Sequence, residues 1–232
     1  EVIARRAREF GEPNVHPNDH VNMAQSSNDV IPSATHLTAA QAIKDELVPA
    51  LEQARSTLAA KSKEFWNVIK TGRTHLQDAT PIRLGQEFAG YASQLELGIM
   101  RLQPHVEALS EVALGGTAVG TGINAHERFA QLTCEALAAE LSLPVRETAH
   151  HFQAQGTQDT VLAASGAIRG VAISLQKIAN DLRWLSSGPR AGLAELELPT
   201  VQPGSSIMPG KVNPVIPESV VQVVCQVIGN DA

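Results

Sequence analysis

A polar loop at residues 202–214 contains the side chains best suited to chemistry. Lys211 and Asn213 stand two residues apart, and the hydroxyls of Ser205 and Ser206 precede them. A cation, an amide and hydroxyl groups together can bind a carboxylate or a phosphate. Glycines and prolines surround these side chains; they let a ligand approach the backbone while fixing the course of the loop. Spacing alone slightly favours the alternative interpretation, a structural turn between helices with Lys211 in solvent.

A second polar loop, residues 70–81, contributes a single histidine, His75, beside the hydroxyl of Thr74. A lone histidine is more often a packed or exposed residue than a catalyst, because a general base needs a partner that orients it. Glu218, near the start of a later helical stretch, is a candidate partner carboxylate. The pair remains a hypothesis about the fold, since sequence spacing does not bring the two side chains together.

Ser26, Ser27 and Asn28 lie near the end of another polar loop, which spans residues 16–29. Serine and asparagine are preferred where a helix begins, because they cap free backbone N–H groups. Those N–H groups also favour an anion. The segment therefore predicts helix capping, and anion binding is a second role compatible with the first.

The same loop begins with His16, and Asn18, Asp19 and His20 follow closely. Two imidazoles near a carboxylate suggest a metal site. We discount it because Pro17 intervenes and no regular ligand spacing follows. We predict no metal ion in this protein.

A glycine-rich stretch at residues 115–122 could be mistaken for a phosphate-binding loop. It lacks a strand before it, a helix after it and the lysine and hydroxyl residue that end such a motif. Nucleotide binding is therefore not expected here. Taken alone, the residues of the four polar loops predict anion binding without indicating a named reaction.

The elements that position these loops are predicted to be helices. Apolar residues recur at intervals of three and four, the period of an α-helix, in four long stretches and one shorter one. These stretches lie at about residues 43–58, 84–109, 168–185 and 215–228, and the shorter one at about 125–141. Pro49 predicts a kink in the first stretch, and Gly90 and Gly98 predict close helix approach in the second. No stretch alternates for long enough to indicate a sheet, so the prediction is an all-α, long-helix bundle.

Composition excludes some partners and favours others. A net charge of −6 with scattered lysine and arginine gives no reason to expect nucleic acid. No apolar run approaches the roughly 20 residues needed to cross a bilayer, so no membrane partner is expected. Cys134 and Cys225 have no metal-binding neighbours in sequence and favour a reducing compartment, which predicts a cytoplasmic protein. Residues 1–10 read as helix without a preceding cap, so we expect an internal piece of a longer polypeptide.

The segment Gly204–Pro214 resembles the signature loop of the fumarase/aspartase superfamily. The likeness extends, in the family's order, to four further strings: His16–Asp19, Ser26–Asp29, Thr71–Asp78 and Gly115–Thr121. Ser27 and Gly210 resemble the class II fumarases, since aspartases usually carry Thr and Ala at those places. The resemblance covers nearly the whole chain.

This resemblance implies that residues 1–232 form the central five-helix bundle domain, without most of the N-terminal and C-terminal domains. It implies a homotetramer whose active sites each draw residues from three chains, with fumarate or malate as the small dicarboxylate substrate. It implies no metal or organic cofactor. A substrate loop of the N-terminal domain is not in this sequence, so these residues alone are expected to be inactive.

The resemblance also implies roles for individual residues. Ser205 matches the serine that removes a proton from C3 of malate, with Lys211 helping to stabilise the charge. His75 matches the histidine that works with a glutamate, here Glu218, on the hydroxyl that leaves as water. The residues that match substrate binders are Ser26, Ser27, Asn28, Thr74, Ser206, Lys211, Val212 and Asn213. Those that match a second dicarboxylate site are His16, Pro17, Asn18 and Asp19.

The function implied is the reversible hydration of fumarate to L-malate through an aci-carboxylate intermediate. An alternative within the superfamily is an aspartate ammonia-lyase. A different class of alternative is a helical scaffold without catalytic activity. Against that scaffold, the base-bearing serine, the lysine, the asparagine and the histidine–glutamate pair are all present together.

Overall fold

The computed structural model describes residues 1–232, and most of them are helical, which confirms the all-α prediction. The helices are α1 (Val2–Glu9), α2 (Ser27–Ala42), α3 (Val48–Glu64), α4 (Leu84–Leu109), α5 (Phe129–Leu141), α6 (His151–Gly156), α7 (Asp159–Leu185) and α8 (Val215–Asp231). Two short π-helical segments, Pro17–Val21 and Ile43–Leu47, lie before α2 and α3. The chain forms two compact units, residues 1–47 with 103–164 and residues 48–102 with 165–232.

In the first unit, helix α2 buries an unusually polar face. Its buried residues are Asp29, Pro32, Ser33, His36, Leu37 and Ala40. The imidazole Nδ1 of His36 lies 2.8 Å from the carbonyl oxygen of Glu111, in a short parallel strand pair of β3 (Glu111–Val112) and β4 (Arg146–Glu147). Because this face has only one large aliphatic side chain, apolar periodicity did not reveal the helix, although the residue types at its start predicted a cap.

In the second unit, helix α4 supplies the main apolar stripe. Its large buried side chains in this unit recur every three or four positions and are Leu84, Phe88, Tyr91, Leu95, Ile99 and Leu102. A Cβ placed on Gly98 would lie 3.2 Å from a methyl group of Val171 in α7, which confirms the close approach predicted there. Nothing in the chain lies within 4 Å of the corresponding position at Gly90, so the prediction is wrong for that glycine within this chain.

The segment predicted as the loop 70–81 is instead an antiparallel hairpin. Strand β1 (Ile69–Thr74) pairs with β2 (Gln77–Arg83), and the register is irregular around Gly72. A Cβ at Gly72 would lie 2.6 Å from the carbonyl oxygen of Thr80 on the facing strand, so glycine permits this close pairing. Apolar and polar residues do not alternate here because β2 is largely exposed, and backbone pairing rather than a buried face defines the hairpin.

Most predicted helices are confirmed with shifted ends. Helix α4 has the predicted bounds, whereas α7 and α8 extend past their predicted stretches and α5 begins later. The stretch 43–58 begins in a π-helical segment and continues in α3. Pro49 directly follows this π-helical segment within one continuous helical run from α2 to α3, so the regular hydrogen-bond pattern is interrupted beside the proline where the kink was predicted.

Helix α7 is long and apolar enough to cross a membrane, although the sequence analysis predicted no such segment. It has 27 residues and an 18-residue window of mean hydropathy 1.2. Core helices of soluble proteins meet the same criteria. Two of its cations are ion-paired within the second unit, Arg169 with Asp231 and Lys177 with Asp181.

A pair of glycines in α4 gives a matched test of this packing. Gly85→Ala is expected to lower the free energy of unfolding by about 1–3 kcal/mol, because the added Cβ would collide with the Ser62 carbonyl and lie 2.9 Å from Cα of Trp66. Gly90→Ala, where the chain leaves open space, is expected to raise it by about 0.5–1 kcal/mol. Urea denaturation of both variants measures the difference, and equal effects would contradict the packing described.

Candidate active site

The start of α2 holds Ser26, Ser27 and Asn28 in a capping box. The hydroxyl of Ser26 accepts a hydrogen bond from the N–H of Asn28 at 3.2 Å, and the carboxylate of Asp29 accepts one from the N–H of Ser26 at 2.9 Å. The amide of Asn28 donates to the carbonyl of Ala118 at 2.7 Å. The predicted capping is therefore confirmed, and Asn28 also reaches the glycine-rich stretch.

The carboxylate of Asp29 is completely buried and joins this cap to the glycine-rich stretch. Besides Ser26, it accepts hydrogen bonds from the N–H groups of Gly115 at 3.1 Å and Thr117 at 2.9 Å. Gly115 has φ of 101°, and a Cβ there would lie 2.5 Å from Cβ of Ala130, so only glycine fits. In this structure, the glycines of residues 115–122 bring the backbone to a buried acid.

Asp29→Asn tests whether this carboxylate holds the cap. The amide keeps one acceptor but places NH₂ against backbone donors, so we expect a loss of about 1–3 kcal/mol in the free energy of unfolding. Asp45→Asn is the control, because the Lys44–Asp45 pair is 3.6 Å apart and exposed, and its loss should cost less than about 0.5 kcal/mol. Chemical denaturation of both variants at neutral pH decides, and similar losses would overturn the role given to Asp29.

Thr74 and His75 lie at the tip of the β1–β2 hairpin. Thr74 pairs with Gln77, so His75 and Leu76 are the two central residues of the turn, with φ of 53° and 63°. Positive φ at both central positions is typical of a type I′ turn, which usually contains asparagine or glycine. Neither residue here is one of these, so the turn stores strain of a kind often found at functional sites. The His75 ring is exposed.

An ionic cluster of Lys70, Arg73, Glu87 and Glu195 lies along β1. Lys70 Nζ is 2.8 Å from Glu195 Oε2 and 2.9 Å from Glu87 Oε2, and Arg73 Nη2 is 2.8 Å from Glu195 Oε1. Glu195 Oε2 is buried and its contact with Lys70 is an ion pair without hydrogen-bond geometry. Burial acts to raise the pKa of Glu195, but the contacts with Arg73 and Lys70 outweigh it and hold the pKa below its ordinary value.

The loop that carries Ser205 is closed on itself by backbone contacts. The N–H of Ser205 donates to the Lys211 carbonyl at 3.1 Å, and the N–H of Lys211 donates to the Met208 carbonyl at 3.1 Å. The N–H of Met208 donates to the Ser205 hydroxyl at 3.3 Å, so a backbone donor already faces that oxygen. Gly210 has φ of 84°, which fits glycine at this turn. Lys211 and Asn213 are exposed, with Ser206 and Val212 beside them.

Glu218 lies in the first turn of α8, half-buried. Its nearest cation is Arg183, whose Nη2 lies 4.0 Å from Glu218 Oε1. No ion pair joins Glu218 to His75 within this chain. The predicted pair, like the convergence of the other candidate residues, stays a prediction.

The residues His16 to Asp19 form a local turn. His16 Nδ1 accepts a hydrogen bond from the N–H of Asp19 at 3.2 Å and lies 3.1 Å from its carboxylate. Pro17 begins the π-helical segment, and the His20 ring accepts a hydrogen bond from the N–H of His16 at 3.0 Å. No cluster of three or more His, Cys, Asp or Glu side chains is arranged for a metal ion. These side chains mainly bind one another and the turn.

Cysteine chemistry is disfavoured at one of the two thiols. Cys134 is buried in α5, and burial raises its pKa to about 11, so the thiol stays protonated at neutral pH.

Sequence reasoning missed the anchoring roles of Asp29 and Glu195. Asp29 gave a usable signal, the capping-box spacing from Ser26. Glu195 gave none, because its partners are far away in the sequence.

Comparison with known proteins places the chain in a family. Residues 1–229 match the sequence profile of the family described as lyase, so the chain belongs to the lyase family. The class II fumarate hydratase of Mycobacterium tuberculosis (strain H37Rv) is 55% identical over 233 residues, which are 100% of this chain and 49% of the relative. That of Neisseria meningitidis is 52% identical over 238 residues, covering 100% of this chain and 51% of the relative. The chain thus spans about half the length of the curated relatives it matches.

Solved structures show the same relationship. The crystal structure of a class II fumarase from Schistosoma mansoni superposes with a TM-score of 0.97 at 40% identity, covering 100% of this chain and 53% of that one. A fumarate lyase:delta crystallin structure from Brucella melitensis gives 0.87 at 45% identity, covering 98% of this chain and 52% of that one. The resemblance to class II fumarases inferred from the signature strings is confirmed.

Proposed function

We propose that this chain is the central portion of a class II fumarate hydratase, which interconverts fumarate and L-malate. The observation that carries the proposal is 55% identity to such an enzyme along the whole chain, with the Ser205 loop, His75 and Glu218 all present. Residues 1–232 form its central helical domain in this proposal. We further propose a cytoplasmic enzyme of the tricarboxylic acid cycle.

Ser205 acts as the base that removes the proton from C3 of malate. A serine hydroxyl is far too weak a base in water, so its oxyanion needs donors in a site that excludes water. The N–H of Met208, 3.3 Å from the hydroxyl oxygen, supplies one such donor. The proton at C3 is only weakly acidic, and its removal becomes feasible when the adjacent carboxylate takes up the charge as an aci-carboxylate. Lys211 and Asn213 hold that carboxylate.

His75, paired with Glu218, protonates the hydroxyl that leaves as water and activates water in the reverse direction. A carboxylate partner favours the imidazolium form and fixes the tautomer. The remaining proposed substrate contacts are Ser26, Ser27, Asn28, Thr74, Ser206 and Val212. His16, Pro17, Asn18 and Asp19 form a second dicarboxylate site.

The complete site requires more than one chain, and we propose a homotetramer in which three chains contribute to each site. Exposed apolar side chains on the helices of the second unit support association. They include Met100 in α4, Ile173 and Trp184 in α7, and Ile216 and Val223 in α8. Side chains of this kind, repeated on several long helices, are typical of surfaces that another chain covers.

Assays of the complete enzyme with malate and with aspartate test the reaction. We expect fumarate, followed by its ultraviolet absorbance, to form from malate and not from aspartate, because Ser27 and Gly210 match the fumarases. Activity on aspartate alone would replace the proposal by an ammonia-lyase. Absence of activity on both would favour a helical scaffold without catalysis.

Ser205→Ala in the complete enzyme tests the proposed base. Removing the hydroxyl is expected to lower kcat by at least about a hundredfold while malate still binds, because Ser205 acts on the proton rather than on affinity. Ser219→Ala in α8 is the control, since that hydroxyl donates only to the Val215 carbonyl at 2.9 Å. Steady-state kinetics and equilibrium binding of malate give the two quantities. Unchanged turnover in Ser205→Ala would refute the role.

A further inference from the structure

We infer that Glu195 is a positioning residue that fixes His75 by anchoring the β1–β2 hairpin. The inference rests on the proposed function for the reaction in which His75 takes part. Glu195 belongs to the irregular segment after α7, and no motif singled it out. Its two carboxylate oxygens contact both cations of β1, Arg73 and Lys70, each at 2.8 Å.

The hairpin has few other attachments. Residues 74–81 are all exposed, and within β1 only Gly72 is fully buried. An exposed two-stranded hairpin is marginally stable by itself, so its position depends on what holds its strands. Lys70 and Arg73 provide that hold, because they bring β1 to Glu195, and Lys70 also hydrogen-bonds Glu87 in the first turn of α4 at 2.9 Å.

The backbone around Glu195 is held in place at the end of α7. The N–H groups of Glu195 and Leu196 both donate to the carbonyl of Leu185, at 2.8 and 3.0 Å, and the N–H of Ala194 donates to Ser187. A Cβ at Gly192 would collide with the backbone of Ser187, so the segment folds tightly against the end of α7. The carboxylate of Glu195 is therefore held by the backbone at the end of a long helix.

Burial separates this cluster from ordinary surface ion pairs. The side chains of Lys70, Glu195 and Arg73 are 7%, 17% and 21% exposed. Exposed pairs contribute little, whereas removing one partner of a buried pair leaves a charge without compensation. Loss of the Glu195 charge leaves Glu87 facing Lys70 and only Asp78, 3.9 Å away, facing Arg73.

Arg73 lies two residues before His75, so movement of β1 is passed directly to the catalytic turn. Because the type I′ turn has only two central residues, both at positive φ, a shift of the strands also displaces the turn. A displacement of about 1 Å of a catalytic group can lower a rate about a hundredfold. Glu195 thus acts on the reaction through the placement of His75, without touching the substrate.

Kinetics of the complete enzyme test this role. Glu195→Gln is expected to lower kcat at least about tenfold and to change KM less than about threefold, since most proposed substrate contacts lie outside the hairpin. In a His75→Asn background the same substitution should lower kcat less than about twofold, because the group that Glu195 positions is already gone. Asparagine is chosen there because it tolerates positive φ. Equal losses in the two backgrounds would overturn the inference.

A matched control separates positioning from a loss of stability. Asp231→Asn removes a carboxylate that is 4% exposed and whose partners, Arg169 and Ser165, lie in α7 of the same unit and not in the hairpin. We expect it to lower stability without the dependence on His75. If Glu195→Gln fails to fold, Arg73→Lys, which keeps the charge, should show the same dependence on His75 with a smaller loss of kcat.

Hydrogen exchange gives a readout independent of catalysis. Amides of residues 69–83 should exchange at least about tenfold faster in Glu195→Gln than in wild type, and at unchanged rates in Asp231→Asn. Unchanged exchange in Glu195→Gln would overturn the inference whatever the enzyme's activity. A wild-type enzyme inactive on malate, with faster exchange in the variant, would refute the proposed function and leave the anchoring of the hairpin supported.

Discussion

A buried carboxylate must be satisfied by donors or cations, and in both units of this chain such a group anchors a polar segment. Asp29 in the first unit accepts three backbone N–H bonds. Glu195 in the second meets two cations. Because an unpaired buried charge costs several kcal/mol, each acid strongly favours the one arrangement of backbone that satisfies it. The candidate residues of the cap and of the hairpin tip owe their placement to these acids.

The Ser205 loop is built differently. It has no buried acid, and its course is set by backbone bonds between Ser205, Met208 and Lys211 and by a glycine at positive φ. Such a loop leaves its charged and polar side chains free, so Lys211 and Asn213 remain exposed. Backbone anchoring therefore suits a segment whose side chains must remain free to bind a ligand. Asp29 and Glu195, in contrast, anchor their segments with side chains that have no proposed contact with a ligand.

The sequence predicted features that repeat or match a motif. The apolar stripe of α4 follows from its spacing, and helix capping near Ser26 follows from the residue types there. The hairpin and the body of α2 were missed, because neither offers an apolar face of the expected period. Glu195 was missed for a different reason: its partners on β1 lie far away in sequence, and only the fold brings them together. Residue types and loop positions indicated most candidate residues, the family resemblance implied their roles, and the structure shows which contacts hold them in place.

The exposure of the candidate residues bears on how the proposed reaction works. His75 and Lys211 are exposed in the single chain, and Glu218 is nearer to Arg183 than to any histidine. A serine oxyanion is not stable enough in bulk water to serve as a base, so a site with these groups in solvent is incomplete. The missing component is a surface that excludes water and supplies charge partners. Exposed apolar side chains on the helices of the second unit offer a surface that another chain can cover, which would keep water away from the proposed site.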